Sequence, residues 1–323
     1  KGHTMHSAAG FGGPWIENTF ISTFETLYNE RNQTCVHEIF GPYIPIFVPW
    51  VDWWLATARY YPHELISALM SVLRPNVPYI TVSQNDNGLA GFYDNGDGVA
   101  REVKWPENLL ILSAGGYGHV PVPLFKQSES LNNQKPVTSR GNFLSFVGSL
   151  GTAPRKMRSK LNDQLMAMGD ARSGGNRTKT FYTYLKGDEW RDVMADSYFS
   201  LCPRGYGRTS YHLVETLQQG LVPVHIYSDV PWLPYATLFS ELGFSYNASN
   251  VTVMVDELES ITVEQIEKRQ KRIESLLETH FSPQGIMEQI QAFMLGKSSD
   301  LICQARPPSV RDAIIVPGRF SYE

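Results

Sequence analysis

The sequence predicts an α/β protein made of two Rossmann-like domains. Short β-rich runs alternate with helix-like segments in both halves of the 323-residue chain, an order typical of parallel sheets covered by helices. Residues 127–141 are polar and lack periodicity, so they form the predicted linker between the halves. A chain of this length accommodates two domains. Pairs of Rossmann-like domains hold ligands in the cleft between the two domains, at the carboxyl ends of the strands.

The first half, residues 1–126, is the predicted N-terminal domain. Apolar residues recur at helical spacing after the glycines of residues 10–13, and Pro62 and Pro75 delimit two further helices. The prolines within residues 43–50 shorten or demote the strand expected there. The predicted elements in order are a helix over 15–29, a strand over 43–50, helices over 53–61 and 63–73, and strands over 78–86 and 108–116.

The second half, residues 142–282, is the predicted C-terminal domain. Its apolar strands end in polar or glycine-containing turns, and Pro154 suits the first turn of a helix. Residues 283–323 contain a last helix over 284–295 and a tail, which we expect to pack back toward the N-terminal domain. The predicted elements of this half are strands over 142–148, 180–185, 198–203 and 222–224 and helices over 154–168, 187–197 and 262–281.

Composition and charge indicate a globular protein without a general affinity for nucleic acid. Hydrophobic residues make up 42% of the chain and charged residues 19%, which is not the composition of a disordered segment. The net charge of −4 disfavours nucleic acid as a partner, while leaving room for a local basic pocket. No apolar run reaches the length of a membrane span, so no membrane contact is expected from these residues. Because the chain begins at Lys1, we expect an upstream segment that could carry a signal or an anchor.

The cysteines and the glycosylation sequons bear on the cellular compartment. The three cysteines are far apart and show no CxxC spacing, which disfavours a disulfide scaffold or a zinc site and leaves a single disulfide open. Four N-x-S/T sequons indicate a secretory lumen, with chance occurrence as the alternative. We therefore expect the Golgi or the secretory lumen if the source is eukaryotic, and the cytosol otherwise. The sequons lie at Asn32, Asn176, Asn247 and Asn250.

A loop with two glycines and two arginines, "CPRGYGRTS" (residues 202–210), ends the strand predicted over 198–203. Its glycines let backbone N–H groups approach a ligand, and the following helix adds about half a positive charge at its N-terminus. Arg204 and Arg208 offer forked donors that suit phosphate oxygens, so the loop predicts a diphosphate site. Two solvated arginines are the alternative. Glu215 could accept the hydroxyls of a ribose, or it is an ordinary acid near a helix N-terminus.

The same stretch resembles a known family. "SYFSLCPRGYGRTSYHLVETLQQGLVPVHIYSDVPWLPY", residues 197–235, is similar to the donor-site signature of exostosin-type glycosyltransferases (family 47), with its CP-R-G turn, its G-x-[VI]-P-V strand and its L-P-[FY] end. Looser similarities occur in the right order at "PYITVSQNDNG" (78–88), "HVPVPLF" (119–125) and "FVGSLGTAPRKMRSKL" (146–161). The resemblance thus covers nearly the whole chain and is weakest at the N-terminus.

The resemblance implies a GT-B fold, in which two Rossmann-like domains face each other and the nucleotide sugar lies mainly on the C-terminal one. It implies inverting transfer of a sugar, such as xylose, galactose or glucuronic acid, from a UDP-sugar to a hydroxyl of an oligosaccharide or glycoprotein acceptor. GT-B enzymes generally need no metal, so we expect no metal and no cofactor besides the UDP-sugar donor. The acidic run Asp94–Asp97 accordingly reads as a surface turn.

The resemblance also implies a set of donor-site residues. Arg204 and Ser210 would line the diphosphate turn, and Glu215 would hold the ribose. His212 stands where many relatives carry arginine, so the charge on the phosphates must come from Arg204 or Arg208. The full predicted donor set is Gly148, Ser149, Arg204, Gly205, Arg208, Ser210, His212, Glu215, Ser228 and Asp229.

Inverting transfer needs a general base for the acceptor hydroxyl. Asp86 is the first candidate, because it lies in a polar turn where the family has an H-D pair, with Asn85 in place of the histidine. An Asx turn with Asn85 and Asn87 on either side is the alternative interpretation of this aspartate. A mechanism without a base is also open. The other candidate bases are Glu17, Asp52, His37 and His119.

Two other functions stay open at the level of the sequence. A catalytically inactive carbohydrate- or nucleotide-binding module on the same fold would keep the donor site without turnover. An α/β nucleotide-binding enzyme unrelated to sugars is the other. The GxGxxG fingerprint is absent, which argues against a dinucleotide oxidoreductase.

Overall fold

The computed structural model describes residues 15–30, 35–56, 60–128, 135–172 and 180–304. Over these residues the chain divides into two units. One unit contains the described residues up to Lys126 together with those from Ile286, and the other contains the described residues from Gln127 to Gly285. Each unit has its own parallel sheet, so the predicted α/β class with two Rossmann-like units is confirmed.

The first unit is built on a parallel sheet and a small mixed one. Its strands are β1 (Ile44–Pro45), β2 (Tyr60–Tyr61), β3 (Tyr79–Ser83), β4 (Phe92–Asp94), β5 (Ala100–Glu102), β6 (Leu109–Ser113) and β7 (Val120–Pro121). The parallel sheet has the order β1-β3-β6-β7, and β2, β4 and β5 form the mixed sheet. Asp94 Oδ1 accepts the backbone N–H groups of Gly96 and Gly98 in the exposed turn between β4 and β5, which is the predicted surface turn.

The second unit is a five-stranded parallel sheet. Its strands are β8 (Asn142–Val147), β9 (Thr180–Leu185), β10 (Ser197–Pro203), β11 (Pro223–Tyr227) and β12 (Phe244–Asn247). They are arranged in the order β12-β11-β10-β8-β9. The chain thus builds outward from β8 to β9 on one side and from β10 to β12 on the other. In doubly wound sheets, ligands bind at the carboxyl ends of the strands that flank this change of direction, here β8 and β10.

Helices connect and cover the strands in both units. Those of the first unit's N-terminal part are α1 (Ile16–Glu30), α2 (His37–Phe40), α3 (Trp50–Ala56) and α4 (His63–Val72). Those that follow are α5 (Met157–Arg172), α6 (Trp190–Ala195), α7 (Tyr211–Gln218), α8 (Ala236–Leu242), α9 (Val251–Glu259), α10 (Val263–Glu274) and α11 (Pro283–Met294). Of the helices in the described ranges, none is long and apolar enough to span a lipid bilayer.

The segment from Ile286 onward is part of the first unit. Ile286 and Met294 of α11 are buried, and the Met294 carbonyl lies so close to Gly41 that a Cβ there would overlap it. Gly41 also has a positive φ of 60°, which favours glycine. Further along, the Gln304 N–H donates to the His119 carbonyl at 2.6 Å. The end of the described chain is therefore tied to its beginning by packing and by backbone contacts.

Both cores contain large apolar side chains from the sheets. Leu144, Leu201 and Val224 of β8, β10 and β11 are fully buried, as expected for parallel strands covered on both faces. In the first unit, the rings of Trp50 and Tyr61 pack edge to face with their centroids 5.6 Å apart. The cysteines add no covalent link to these cores, because Cys35, Cys202 and Cys303 are all free thiols.

Arg140 fixes the end of the predicted linker inside the second unit. Its guanidinium is buried and donates to the carbonyls of Lys135 and Ser197 and to the Gln270 side chain. Burial lowers the pKa of Arg140 to about 10, so the group stays charged at neutral pH. Three acceptors therefore compensate a buried charge, and residues 135–141 are an ordered part of the second unit.

Two of the predicted elements are wrong in extent, and the strand over 43–50 is shortened, as its prolines predict. Of the strand predicted over 43–50 only Ile44–Pro45 pairs, and α3 already begins at Trp50, because prolines cannot donate to a ladder. The helix predicted over 53–61 ends at Ala56, and Tyr60–Tyr61 forms β2. The long helix predicted over 262–281 ends at Glu274 and is followed by a π-helical turn, Leu277–Phe281. The elements missed altogether are α2, β4, β5, β7, α8, β12 and α9.

Candidate functional site

The predicted donor residues lie at one edge of the second unit's sheet. Gly148 and Ser149 follow β8, the loop from Arg204 to Ser210 follows β10, and Ser228–Asp229 follows β11. Since these strands are neighbours and parallel, their carboxyl ends bring the three loops together. The site thus flanks the switch between β8 and β10, where a doubly wound sheet binds its ligand.

Arg158 ties two of these loops to each other. It lies in the first turn of α5, and its buried guanidinium donates to the carbonyls of Arg204 and Pro203, both at 2.9 Å. It also donates to the Ser149 carbonyl at 3.0 Å and to Thr152 Oγ1 at 2.7 Å. Sequence reasoning missed this residue. The one signal for it was the basic helix after the "FVG" strand, which does not say which of its cations turns inward.

Arg204 and Arg208 are both buried and share one carboxylate. Arg204 Nη1 lies 2.7 Å from Asp229 Oδ1, and Arg208 Nε lies 2.8 Å from Asp229 Oδ2. Arg204 also donates to the carbonyls of Gly207 and Tyr206 at 2.9 and 3.1 Å. Burial acts to raise the pKa of Asp229, but the two guanidinium groups outweigh it and leave that pKa below its usual value. The alternative of two solvated arginines is therefore wrong.

Ser210 is the residue immediately before α7 and has the extended backbone of an N-cap. Its side chain makes no capping bond, and its buried Oγ has no hydrogen-bond partner in the part of the chain that the structure describes. A buried hydroxyl without a partner is unfavourable by about 1–3 kcal/mol. Because it stands at a helix N-terminus beside the arginine loop, it is placed to bond an anion from outside the chain.

His212 is buried beneath the loop. Its Nε2 lies 3.0 Å from Ser200 Oγ on β10, and its Nδ1 lies 3.6 Å from Glu215 Oε2 one turn along α7. Both ring nitrogens are therefore engaged within the second unit. The side chain of Glu215 is partly exposed, at 21%. A Cβ on Gly205 would meet its neighbours at ordinary contact distances, so packing does not require glycine there.

Asp86 lies in the turn after β3 of the first unit and is exposed. Its neighbour Asn85 makes an Asx bond in this turn, because Asn85 Oδ1 accepts the Asn87 N–H at 3.0 Å. The backbone completes the turn with a bond from the Gly88 N–H to the Asn85 carbonyl at 2.8 Å. Asp86 itself lies at the surface, beyond the carboxyl end of a central strand.

Glu17, the alternative base, is buried in the first turn of α1. Its Oε1 accepts the Gln84 N–H at 2.8 Å, just after β3, and its Oε2 has no partner in the described structure. Burial raises the pKa of Glu17 to about 8, against the lowering effect of the Gln84 bond and with help from the nearby Asp52 carboxylate. The structure therefore places Glu17 and Asp86 at the same strand end, one enclosed and the other open to solvent.

The remaining candidate bases are Asp52, His119 and His37. The first two accept hydrogen bonds within the first unit, and His37 lies on α2. Asp52 is buried and accepts the Trp15 indole N–H at 2.8 Å. His119 Nδ1 accepts the Ile111 N–H at 3.0 Å, and burial lowers the pKa of its ring. His37 is exposed at the start of α2. As for metals, the described ranges hold no group of three or more His, Cys, Asp or Glu side chains arranged to bind one.

The buried Glu17 carboxyl gives a testable pH dependence of stability. The unfolded chain loses the Glu17 proton near pH 4.5, whereas the folded protein keeps it to about pH 8. Between these values the folded state binds more protons, so the free energy of unfolding falls as the pH rises. Glu17→Gln is expected to remove this decline in the free energy of unfolding, measured by urea unfolding at pH 5 and pH 8.

Glu25→Gln, on the exposed side of α1, is the control and should keep the wild-type pH dependence. If Glu17→Gln also keeps it, this ionisation is misassigned.

Residues 113–269, just under half of the chain, match the family model of the Exostosin GT47 domain. The match confirms the family resemblance that the sequence motifs indicated. The matched residues include the whole predicted donor set from Gly148 to Asp229, while Asp86 and Glu17 lie outside them. No curated protein matches the chain significantly.

Three solved structures align with the chain at low sequence identity. A glycosyltransferase from Rickettsia africae ESF-5 aligns with a TM-score of 0.43 and 12% identity, over 91% of this chain and 84% of that one. Sucrose-phosphate synthase from Thermosynechococcus elongatus aligns with a TM-score of 0.40 and 12% identity, over 89% and 81%. A TarM mutant from S. aureus, in complex with fondaparinux, alpha-GlcNAc-glycerol and UDP, aligns with a TM-score of 0.39 and 10% identity, over 71% and 53%. The chain therefore spans about half the length of TarM.

Proposed function

We propose, on the premise that residues 113–269 belong to the Exostosin GT47 family, that the protein is an inverting glycosyltransferase. It transfers a sugar such as xylose, galactose or glucuronic acid from a UDP-sugar to a hydroxyl of an oligosaccharide or glycoprotein. The observation that carries the proposal is the pair of buried arginines, Arg204 and Arg208, beside the switch between β8 and β10. Two permanently charged groups at this edge of the sheet suit the diphosphate of a nucleotide sugar.

In the proposed displacement, the acceptor oxygen forms a bond to the anomeric carbon of the donor sugar. The bond from that carbon to the UDP oxygen breaks, and its electron pair stays on UDP. Arg204, Arg208 and the first backbone N–H groups of α7 stabilise the charge that develops on the diphosphate. The proton of the acceptor hydroxyl passes to Asp86 as general base. Glu215 accepts the ribose hydroxyls through its carboxylate, which is partly exposed.

The proposed compartment is the Golgi or the secretory lumen if the source is eukaryotic, and the cytosol otherwise. Two of the sequons that support a lumenal location are in the described structure, where Asn250 is exposed just before α9 and Asn247 is partly buried. Asn32 and Asn176 lie outside the described residues. A loss of mass on treatment with an N-glycosidase, in protein from its own source, would support the lumenal placement.

The first experiment is calorimetric titration with UDP and a panel of UDP-sugars, followed by an assay for transfer to glycan acceptors. The proposal expects UDP to bind, one sugar to be preferred, and the product to have the anomeric configuration opposite to that of the donor. Binding without any turnover would instead favour the inactive binding module. If neither UDP nor any UDP-sugar binds at millimolar concentration, the proposal fails.

Ser210→Ala separates a structural from a ligand-binding role of the loop. Since Ser210 Oγ has no partner in the described structure, its removal is expected to leave the melting temperature unchanged or slightly higher. A charge-assisted bond from the same hydroxyl to a phosphate would be lost, so UDP should bind about tenfold more weakly or worse. Ser145→Ala removes another buried hydroxyl without a described partner, from the interior of β8, and is the control that keeps UDP affinity. Unchanged UDP affinity in Ser210→Ala would remove Ser210 from the donor site.

A further inference from the structure

We propose that Asp229 is an internal anion that holds Arg204 and Arg208 ready in the unliganded protein and competes with the incoming diphosphate for them. The inference rests on the proposed function, since it assumes that these arginines are the phosphate ligands. It assigns to Asp229 the role of a positioning residue that sets the affinity of the site for anions, with the nucleoside diphosphate as the ligand class.

The carboxylate makes the two contacts that a phosphate would make. One oxygen lies 2.7 Å from Arg204 Nη1 and the other 2.8 Å from Arg208 Nε, so a single anionic group bridges both guanidinium groups. These are the distances of charge-assisted hydrogen bonds between arginine and a carboxylate or phosphate oxygen. Asp229 therefore occupies the anion position between the two arginines.

Of the three groups, Asp229 is the one able to leave. The side chains of Arg204 and Arg208 are only 3% and 7% exposed, and Arg204 is further held by the carbonyls of Gly207 and Tyr206. The side chain of Asp229 is 36% exposed, at the start of the loop that follows β11. A carboxylate at the surface can turn into water at little cost, whereas a buried guanidinium cannot do so.

The charges favour exchange of Asp229 for a more highly charged anion. Two arginines and the N-terminal dipole of α7 exceed the single negative charge of Asp229. The Ser210 hydroxyl at the same helix terminus, which has no partner among the residues described, supplies a donor that Asp229 does not use. A diphosphate can take over both arginine contacts and this donor as well, so it gains bonds that Asp229 leaves unmade.

The test is calorimetric titration of UDP and of inorganic pyrophosphate into the wild-type chain and the Asp229→Asn variant. Without the competing charge, Asp229→Asn is expected to bind both ligands about tenfold more tightly or better. Asp196→Asn is the matched control, because Asp196 pairs with Lys135 at 2.7 Å in the same unit and lies away from the site. It should leave both affinities unchanged. A purely structural role of Asp229 predicts the opposite sign, because loosened arginines would bind UDP more weakly.

If Asp229→Asn is too unstable for calorimetry, melting temperatures with and without pyrophosphate provide the test. The variant should melt below the wild type in the absence of anions and regain more stability than the wild type when pyrophosphate is added. Equal or weaker binding by the variant, or an equal gain of melting temperature, would overturn the role of Asp229 while UDP binding still supports the glycosyltransferase. If pyrophosphate binds more tightly to the variant but UDP binds to neither protein, Asp229 keeps its role at an anion site and the proposed function fails. Binding of neither ligand to either protein overturns both.

Discussion

Replacing Asp86 by asparagine is expected to lower the rate of sugar transfer by about 10²–10⁴-fold while leaving the affinity for UDP unchanged. The carboxylate is exposed at the end of β3, and asparagine has nearly the same size and shape, so the substitution is expected to preserve the fold. UDP binding is assigned to the second unit and should not sense the change. The measurements are the steady-state rate of transfer and a calorimetric titration with UDP.

The control for this substitution is Asp97→Asn. Asp97 is likewise an exposed turn aspartate of the first unit, where it pairs with Arg101 at 2.6 Å, and the proposed chemistry does not use it. Its loss should leave the transfer rate unchanged. Full turnover by Asp86→Asn would remove Asp86 as the base. If Glu17→Gln then abolished turnover in a protein that remained folded, the role would pass to Glu17.

Replacing Arg158 by methionine is expected to lower the free energy of unfolding by about 3–4 kcal/mol, because several hydrogen bonds to a charged group are lost and buried carbonyls are left without donors. Methionine keeps much of the length and apolar stem of the side chain. The loops after β8 and β10 would lose their common anchor, so UDP binding should also become undetectable. Urea denaturation and a UDP titration check both effects.

Lys160→Met is the control for Arg158→Met, since Lys160 is exposed and lies two residues further along the same helix. It should change the stability little and leave UDP binding intact. If Arg158→Met lost stability yet bound UDP like the wild type, the anchor would serve the fold alone. Wild-type stability in Arg158→Met would show that the four contacts contribute little.

The arrangement of the arginine loop could be predicted from the sequence because its residues are close together in the chain. Arg204, Arg208, Ser210 and Glu215 lie within twelve residues of one another, in the loop after β10 and on the helix that follows it. Their spacing along the chain therefore fixes most of their arrangement in space. The contact between these arginines and Asp229 does not follow from the loop alone, because it depends on the pairing of β10 with β11.

Arg158 and Glu17 show what spacing along the chain does not reveal. Arg158 reaches the Arg204 carbonyl across 46 residues, and Glu17 reaches the Gln84 N–H across 67. In each case the role depends on burial, and burial depends on how distant segments pack. The sequence around Arg158 contains several other cations, so no pattern of charge distinguishes the one that turns inward.

Secondary structure was mispredicted where a local pattern competes with packing. The amphipathic pattern of residues 262–281 continues through the end of α10, but the chain leaves the α-helical register there. The Tyr235 hydroxyl donates to the His280 carbonyl and the Gln218 amide to the Phe281 carbonyl, so partners outside the helix satisfy the π-helical turn. Such partners have no trace in the periodicity of the segment itself.

Over its described residues the chain passes from the first unit to the second and back again, and this order has a consequence for biosynthesis. Among the residues that the structure describes, the second unit is one continuous segment, so it can fold as soon as residue 285 has left the ribosome. The first unit is begun earlier but still lacks α11, whose Met294 packs against Gly41 near the other end of the chain. During translation, then, the first unit cannot be completed before the second has been made, and its apolar surface for α11 stays uncovered until α11 has left the ribosome.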